Sequence, residues 1–329
     1  MFRPDAHLDP KTLDLAAVPQ APTRDGFGKG LVEAGEKDER VVVLCADLAE
    51  STRVQWFQER FPKRYIELGV AEQNLATIAS GLAAYGKIPF ITSYAAFSPG
   101  RNNEQIRTTI ALNDVPVKIA GAHAGVSVGP DGATHQALED IALMRVIPNM
   151  TVVYPADAEE ARKATYAAAF SGSPVYLRFA REKTPVFTTK DTPFTIGKAN
   201  VLWEGENPSV GIIATGPLVH NALLVARALA GEGVGSIVVN LHTIKPLDKK
   251  TILDVVKRTG RIVTVEEHQV AGGMGSAVAE FLAAEHPVPM EFVGVHDQFG
   301  QSGTPEELIR HYGMDVAAIS DAVRRVLAR

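Results

Sequence analysis

Short, continuously apolar segments alternate with longer helix-forming segments along this chain, and this alternation limits the possible folds more than any other feature. Val41–Cys45 is apolar throughout, and similar runs recur at 88–92 and 117–121. The intervening segments that we predict to be helical include 51–61, 75–83 and 101–112. Strands that lack polar alternation are buried on both faces, so the pattern predicts an α/β fold with a doubly wound parallel sheet.

The alternation stops at a polar, proline-containing stretch and then restarts. At 329 residues the chain is long enough for two domains. We therefore predict an N-terminal extended arm at 1–22, a first α/β domain at 23–187, a linker at 188–197 and a second, smaller α/β domain at 198–329.

Composition narrows the class of partners and the compartment. The net charge of −5 gives no reason to expect nucleic acid or an anionic membrane surface as a partner. The single cysteine, Cys45, lies in an apolar run and is predicted to be a buried thiol that forms no internal disulfide, which fits a reducing cytoplasm. The start of the sequence lacks the pattern of a signal peptide, and no apolar run reaches the length of a membrane span.

Glu72 is the first candidate functional residue. It lies in the run GVAEQN at 69–74, between a predicted short strand and an alanine-rich helix, so its carboxylate is expected at a helix N-terminus and inside the protein. Such a carboxylate can cap the helix by accepting from backbone N–H groups, or it can bind a ligand. The run itself leaves both interpretations open.

A glycine-rich loop with the sequence HAGVSVGPDGATH spans 123–135 and follows a predicted strand. It contains His123, Asp131 and His135. Loops at the carboxyl ends of parallel strands line the ligand crevice, where histidines can bind phosphate or sugar hydroxyls or transfer protons. A metal site is a rival interpretation, although the spacing matches no recognised zinc pattern. A surface loop with incidental histidines is the third.

Several runs together resemble a known family. DGATHQALEDIALMRVIPNM at 131–150 and GVAEQN at 69–74 resemble the pyrimidine-binding half of a transketolase, as do ADLAES at 46–51, SYAAF at 93–97 and ARE at 180–182. The second domain resembles the transketolase C-terminal domain and ends in HDQFGQSGTPEEL at 296–308. The resemblance covers about residues 24 to 325, and the order and spacing of the motifs make it specific.

The resemblance implies a thiamine diphosphate cofactor. Glu72 matches the catalytic glutamate that bonds the aminopyrimidine ring and favours its imino tautomer, which can then take the proton from the thiazolium carbon. Phe97 matches the aromatic residue that packs on the face of that ring. Tyr94 and, in the ADLAES run, Asp47 are further candidates for the cofactor pocket.

The resemblance also assigns a sugar phosphate substrate and its contacts. The residues that match positions holding the phosphate or lining its channel are Arg24, Ser51, His123 and Arg181. Arginine suits this role because its planar guanidinium binds phosphate in a bidentate way. Asp131 and His135 match residues that contact substrate hydroxyls, with His135 closest to the reacting carbons and therefore a candidate catalytic residue. Arg101 and Arg178 have no such match.

The sequence departs from a full-length transketolase in one informative respect. The family's diphosphate-binding domain carries a Gly-Asp-Gly motif and an asparagine that hold a divalent cation, and neither is recognisable here, so we predict no metal site in this chain. We expect an N-terminal partner subunit that carries the diphosphate and Mg²⁺ or Ca²⁺, with two copies of each chain. The expected activity is transfer of a two-carbon ketol unit from a ketose phosphate to an aldose phosphate.

Three alternatives stay open at this point. The first is a deoxyxylulose-phosphate synthase. Three segments resemble that enzyme more than a transketolase: Ser98-Pro99-Gly100 after Phe97, residues 264–267 and the glycine-rich turn 272–276. That turn precedes a predicted helix and could bind an anion or simply pack the helix. The β-chain of a 2-oxoacid dehydrogenase shares the fold and the glutamate, but its loop normally lacks the DGATHQ pattern. A non-catalytic regulatory homologue is the alternative from another class.

Overall fold

The computed structural model describes all 329 residues as two α/β domains. The strands are β1 (Gln20–Pro22), β2 (Val41–Cys45), β3 (Tyr65–Glu67), β4 (Ile88–Tyr94), β5 (Lys118–Ala122), β6 (Thr151–Val153), β7 (Val175–Arg178), β8 (Lys183–Pro185), β9 (Asn200–Glu204), β10 (Pro208–Ala214), β11 (Gly235–Asn240), β12 (Thr243–Lys245), β13 (Ile262–Gln269) and β14 (Met290–Val295). The helices are α1 (Thr23–Lys37), α2 (Ala49–Thr52), α3 (Gln55–Arg60), α4 (Glu72–Ala84), α5 (Asn103–Gln105), α6 (Asp140–Arg145), α7 (Ala158–Ala169), α8 (Leu218–Gly231), α9 (Lys249–Thr259), α10 (Met274–Glu285), α11 (Pro305–His311) and α12 (Val316–Leu327).

The first domain is built on a seven-stranded sheet with the order β12-β6-β7-β5-β4-β2-β3. All neighbouring pairs are parallel except β12 with β6. Every residue of β2 is buried, because helices cover both faces of the sheet. This confirms the predicted doubly wound α/β architecture. Since the strands are parallel, the segments that follow β2, β3, β4, β5 and β7 meet at one edge of the sheet.

The second domain has a five-stranded sheet with the order β14-β13-β10-β11-β9, in which only β9 is antiparallel. The two domains share a sheet, because β12 leaves the second domain and pairs with β6 of the first. A third sheet consists of β1 and β8. The segments 210–214, 236–241 and 261–266, whose apolar character predicts strands, correspond to β10, β11 and most of β13. The edge strands β9, β12 and β14 are not predicted; β9 begins and ends in polar residues, and β12 has only three residues.

Two predicted helices are not continuous. The predicted helix 51–61 is wrong as a single element, because Arg53 adopts a left-handed backbone conformation with φ 68° and separates α2 from α3. The predicted helix 101–112 is α-helical only over α5 and then continues as a π-helix from Ile106 to Ala111. A left-handed backbone conformation is uncommon for a residue with a Cβ, so nothing in the residue type of an arginine predicts it. The pattern of apolar residues therefore does not reveal this break.

The N-terminal segment was predicted to be an extended arm, but it packs against the second domain. The ring of Phe2 meets Trp203 edge to face at 5.5 Å, and the backbone N–H of Arg3 donates to the carbonyl of Leu202. Between β8 and β9 the chain has no regular secondary structure, which is where the linker was predicted. Cys45 is buried and unpaired, as predicted. None of the helices combines the length and the apolar character needed to cross a membrane.

Glycines bring α1 unusually close to α7. A Cβ at Gly26 would lie against the backbone carbonyl of Ala158, well inside van der Waals contact, and Gly30 lies against the backbone of Arg162 in the same way. The N-terminus of α1 is tied to the end of β7, because the amide of Ala180 donates to Thr23 Oγ1 at 2.7 Å. The close packing therefore fixes the first turn of α1, which carries Arg24, beside the carboxyl edge of the sheet.

We expect Gly26→Ala to lower the free energy of unfolding by about 1–3 kcal/mol, because the added methyl group meets backbone that cannot rotate away. Gly231→Ala is the matched control. It also lies in a helix but has open space around its Cβ position, so it should raise stability by up to about 1 kcal/mol. Chemical denaturation of the purified chain measures both, and an unchanged midpoint for Gly26→Ala would contradict the packing argument.

Candidate active site

Glu72 is the first residue of α4 and its side chain is 1% exposed. The carboxylate accepts a hydrogen bond from Ser93 Oγ at 3.3 Å and forms an ion pair with Arg101 Nη1 at 2.9 Å. Asn102 Nδ2 donates to the backbone carbonyl of Glu72 at 2.9 Å. Glu72 does not act as a side-chain cap, because no backbone N–H group donates to its carboxylate. The buried acid is thus directed toward side chains at the end of β4.

A cluster of four rings lies beside this carboxylate. Tyr94 ends β4, and its ring centroid is 4.1 Å from that of His123 and 6.0 Å from that of Phe97, with which it stacks. His135 meets the ring of Phe97 at 5.4 Å and that of Tyr94 at 6.0 Å, both edge to face. The guanidinium of Arg101 lies 5.0 Å from the centroid of Phe97. The structure therefore brings three of the four predicted cofactor residues together with the two predicted substrate histidines.

The opposite end of the ring cluster is positively charged. Arg24 Nη1 donates to the backbone carbonyl of Ser51 at 2.8 Å and lies 3.4 Å from His123 Nε2. Burial, together with repulsion by the nearby guanidinium groups of Arg24, Arg181 and Arg53, lowers the pKa of His123 to about 3. At neutral pH the imidazole is therefore uncharged, and it acts as a hydrogen-bonding group rather than as a cation.

Arg181, in the loop after β7, lies at the same end. Its Nη1 donates to the carbonyl of Val128 at 2.8 Å and lies 3.9 Å from Asp131 Oδ2, which connects it to the glycine-rich loop. Burial lowers the pKa of Arg24, and repulsion by Arg53 and Arg181 adds to this effect. The three guanidinium groups are close enough to repel one another, so the pocket favours an anionic ligand.

Asp47 is not brought into the cluster. It lies after β2 with φ 58°, and its amide donates to Glu67 Oε1 at 2.8 Å. Its side chain makes no hydrogen bond or ion pair with another predicted site residue. Arg178 is fully buried beneath the site, where its Nε donates to Asp140 Oδ2 at 2.8 Å. Burial alone would raise the pKa of Asp140, but Arg178, His268 and the Tyr176 hydroxyl together outweigh burial and the pKa is lowered.

Two arginines at the site were missed by the sequence analysis. Arg101 was noted but not assigned, and it is the ion-pair partner of Glu72. Arg53 was not considered, although it bonds Asp25 Oδ1 through Nε at 2.6 Å and faces the positively charged end. Neither lies in a motif with a recognisable spacing. Their roles depend on the left-handed turn at Arg53 and on the loop after β4.

The residues present fit the pyrimidine end of thiamine diphosphate. The acid is buried, an aromatic face adjoins it, and Arg101, which covers one carboxylate oxygen, is half exposed. Two buried polar atoms beside the cluster, Asn102 Oδ1 and His123 Nδ1, have no hydrogen-bond partner within the chain. Such atoms are costly unless a ligand or water satisfies them. No group of three or more His, Cys, Asp or Glu side chains is arranged to hold a metal ion.

Two family descriptions match the sequence. Residues 20–186 match the transketolase pyrimidine-binding domain, and residues 197–319 match the transketolase C-terminal domain. Together these matches cover most of the chain. The first match contains every residue of the cluster described above.

Individual relatives of similar length agree with these matches. The 6-deoxy-6-sulfo-D-fructose transketolase subunit SqwH of Clostridium sp. (strain MSTE9) is 40% identical over 93% of this chain and 94% of its own length. An apulose-4-phosphate transketolase subunit of Phocaeicola vulgatus is 37% identical over 90% of this chain and 94% of its own length.

A solved structure described as a split gene transketolase in an inactive beta4 tetramer superimposes with a TM-score of 0.87. It is 43% identical in sequence, and the superposition covers 93% of this chain and 98% of that one. Domain matches, sequence relatives and fold agree, and the chain belongs to the transketolase family, of which it carries the pyrimidine-binding and C-terminal domains.

Proposed function

We propose that this chain is the C-terminal subunit of a split, thiamine diphosphate-dependent transketolase that moves a two-carbon ketol unit between anionic sugars. The observation that carries the proposal is the continuous cluster from the buried Glu72 carboxylate, through the rings of Phe97 and His135, to the arginines around His123. One end of this cluster suits an aminopyrimidine ring and the other suits an anionic sugar. A homologue without a catalytic role has no need of both.

Glu72 and Phe97 are proposed to hold the cofactor. Thiamine diphosphate, when bound, supplies a carbon nucleophile and an electron sink for cleaving the bond next to a carbonyl. Glu72 can hold a proton shared with the aminopyrimidine ring, and its burial keeps water from competing for that bond. Arg101 must give up part of its ion pair when this bond forms. Its half-exposed position allows that movement.

The positively charged end is proposed to hold the anionic group of the sugar. Arg24 and Arg181 can donate in a bidentate way, and the neutral imidazole of His123 can donate one further hydrogen bond. The same donors suit a phosphate or a sulfonate, and the name of the Clostridium relative includes a sulfonated sugar. The physiological donor and acceptor sugars are therefore left open within the class of anionic sugars.

His135 and Asp131 are proposed to contact the substrate between these ends. His135 touches the edge of Phe97, and its Nδ1 lies 2.8 Å from Thr134 Oγ1, which fixes the orientation of the imidazole. Its Nε2 can then donate to, or accept from, a hydroxyl of the sugar near the reacting carbons. Asp131 is one-third exposed and can accept from a hydroxyl farther along the chain of the sugar.

A partner chain is part of the proposal. Two relatives that this chain matches nearly end to end are named as subunits, and the beta4 tetramer of another relative is described as inactive. We propose that the partner carries the diphosphate and its divalent cation, and that two copies of each chain assemble in the cytoplasm. The absence of a Gly-Asp-Gly motif here supports this division.

Isothermal calorimetry tests the division of labour. We expect this chain alone to show no saturable, Mg²⁺-dependent binding of thiamine diphosphate and no turnover, because only the pyrimidine end of the site is present. Addition of the co-expressed partner should produce both. Tight cofactor binding by the single chain would contradict the two-chain proposal. Ketol transfer from an anionic sugar by the complex would support it.

A further inference from the structure

The loop that carries Asp131 and His135 has little structure of its own. We call residues 123–138, between β5 and α6, the substrate loop. Its only regular element is one turn of 3-10 helix, and Gly125, Gly129 and Gly132 have positive φ angles. Glycines lose more conformational freedom on ordering than other residues, so a loop of this composition keeps one shape only if other groups hold it.

The C-terminal domain holds the substrate loop at its first turn. Glu267, in β13, accepts a hydrogen bond from the backbone N–H of Ser127 at 2.6 Å through Oε1. The same carboxyl group occupies the space where a side chain at Gly125 would lie. The residue is 1% exposed, so this hydrogen bond is shielded from water. An acid of one domain thereby fixes the backbone of a loop of the other.

A second contact lies at the far end of the loop. Gln136 Nε2 donates to the carbonyl of Gln301 at 3.0 Å, in the segment before α11, and also to Val126 and Gly129 within the loop. A Cβ at Gly132 would lie 2.8 Å from Ser302 Oγ. The C-terminal domain therefore contacts the loop on both sides of Asp131.

Glu266 provides an internal comparison, because consecutive strand residues face opposite sides of a sheet. It is also 1% exposed, but its carboxylate accepts from the amides of Met274 and Gly275 at the start of α10. Burial raises the pKa of both carboxyl groups. The two acids thus share strand and burial, and they differ in what they hold: Glu266 holds a helix of its own domain, and Glu267 holds the substrate loop of the other domain.

We propose that Glu267 is a positioning residue through which the C-terminal domain sets the shape of the substrate loop, and with it the places of Asp131 and His135. Its relevance to turnover rests on the proposed ketol transfer. The hydrogen bond between Glu267 and the backbone of Ser127, which we call the grip, lies within this chain and needs no partner. It gives the C-terminal domain a definite role at a site to which it contributes no residue of the ring cluster.

Hydrogen–deuterium exchange of the full-length single chain tests the grip without any activity. We expect Glu267→Leu to speed exchange in residues 125–137 at least tenfold while α10 stays within twofold of the wild type. Glu266→Leu should speed exchange at the start of α10 at least tenfold and leave exchange in residues 125–137 within twofold of the wild type. Glu267→Gln keeps an oxygen that can accept from Ser127, so exchange in the loop should stay within about threefold. Unchanged loop exchange in Glu267→Leu, or equal loss of protection in both regions, would overturn the proposal.

Ser127→Pro tests the same bond from the loop side and serves if Glu267→Leu does not fold. Proline removes the N–H group, and its φ near −65° suits a 3-10 turn. We expect the same faster exchange in 128–137 with α10 protected, and an unchanged pattern counts against the grip.

Kinetics of the two-chain complex then connect the grip to function. Glu267→Leu should lower kcat/KM for the sugar donor at least tenfold, Glu267→Gln should restore it to within threefold, and Glu266→Gln should leave it unchanged. If Glu267→Leu speeds exchange in the substrate loop as expected but leaves kcat/KM undiminished, the positioning role is overturned. If the wild-type complex transfers no ketol unit, the proposed function fails while the exchange experiment still decides whether Glu267 holds the loop.

Discussion

Glu72→Gln is expected to reduce turnover of the reconstituted two-chain enzyme by about 10²–10⁴-fold, the usual contribution of a positioned acid–base group. Glutamine has nearly the same shape but cannot share a proton with the aminopyrimidine ring. The folded chain should otherwise be little changed, because the amide can still bond Ser93 and Arg101. Steady-state ketol transfer measures the loss, and thermal melting checks the fold.

Glu160→Gln is the matched control for this substitution. Glu160 also lies in the first turn of a helix, α7, and is also 1% exposed, but it is at the contact with β11, where it accepts from Asn240 Nδ2 at 2.8 Å. Burial raises its pKa to about 7, so an uncharged amide is a mild change there. The ketol-transfer activity of the Glu160→Gln complex should match that of the wild type. Activity of Glu72→Gln within a few-fold of wild type would refute the catalytic assignment.

Arg181→Ala is expected to raise KM for phosphorylated sugars by roughly 30- to 150-fold, which corresponds to the loss of a charge-assisted bond of about 2–3 kcal/mol. The guanidinium lies at the positively charged end, remote from Glu72. Hydroxypyruvate, a small donor without that anionic group, should be used almost as well as before. Steady-state kinetics of the complex with both donors separates the effects.

Arg145→Ala controls for the structural part of this change. Like Arg181, Arg145 is partly buried and donates to a backbone carbonyl, that of Gly272, but it lies away from the ring cluster and pairs with Glu280. Its KM values for both donors should match the wild type. If Arg181→Ala impairs both donors equally, the arginine supports the loop through Val128 and the anionic group binds elsewhere.

The alternation of apolar runs was sufficient to predict the first sheet because its strands are buried on both faces. Strands β2, β4 and β5 lie within a residue or two of the predicted runs. The pattern failed where tertiary contacts decide the conformation. The edge strand β12 pairs with β6 across the domain boundary, and the left-handed turn at Arg53 ends α2.

The grouping of the site residues was also predictable, although the residues lie as far apart as Arg24 and Arg181. Parallel strands bring their carboxyl ends to one edge, so residues after β2, β4, β5 and β7 had to meet. Arg101, Arg53 and Glu267 were not predictable as members of the site. Each acts through a contact with a residue distant in sequence, and such a contact cannot be read from a single sequence.

The sequence by itself determined the α/β class, the edge of the sheet where the site lies and the residue types there, because these follow from local apolar periodicity and from motifs in a fixed order. Only the tertiary structure decided which partner satisfies each buried polar group. Glu72 pairs with Arg101, the imidazole of His123 stays neutral among three arginines, and Glu267 bonds Ser127 across the domain boundary. The reason is physical: burial makes an unpaired polar group costly, and its partner can come from any part of the chain.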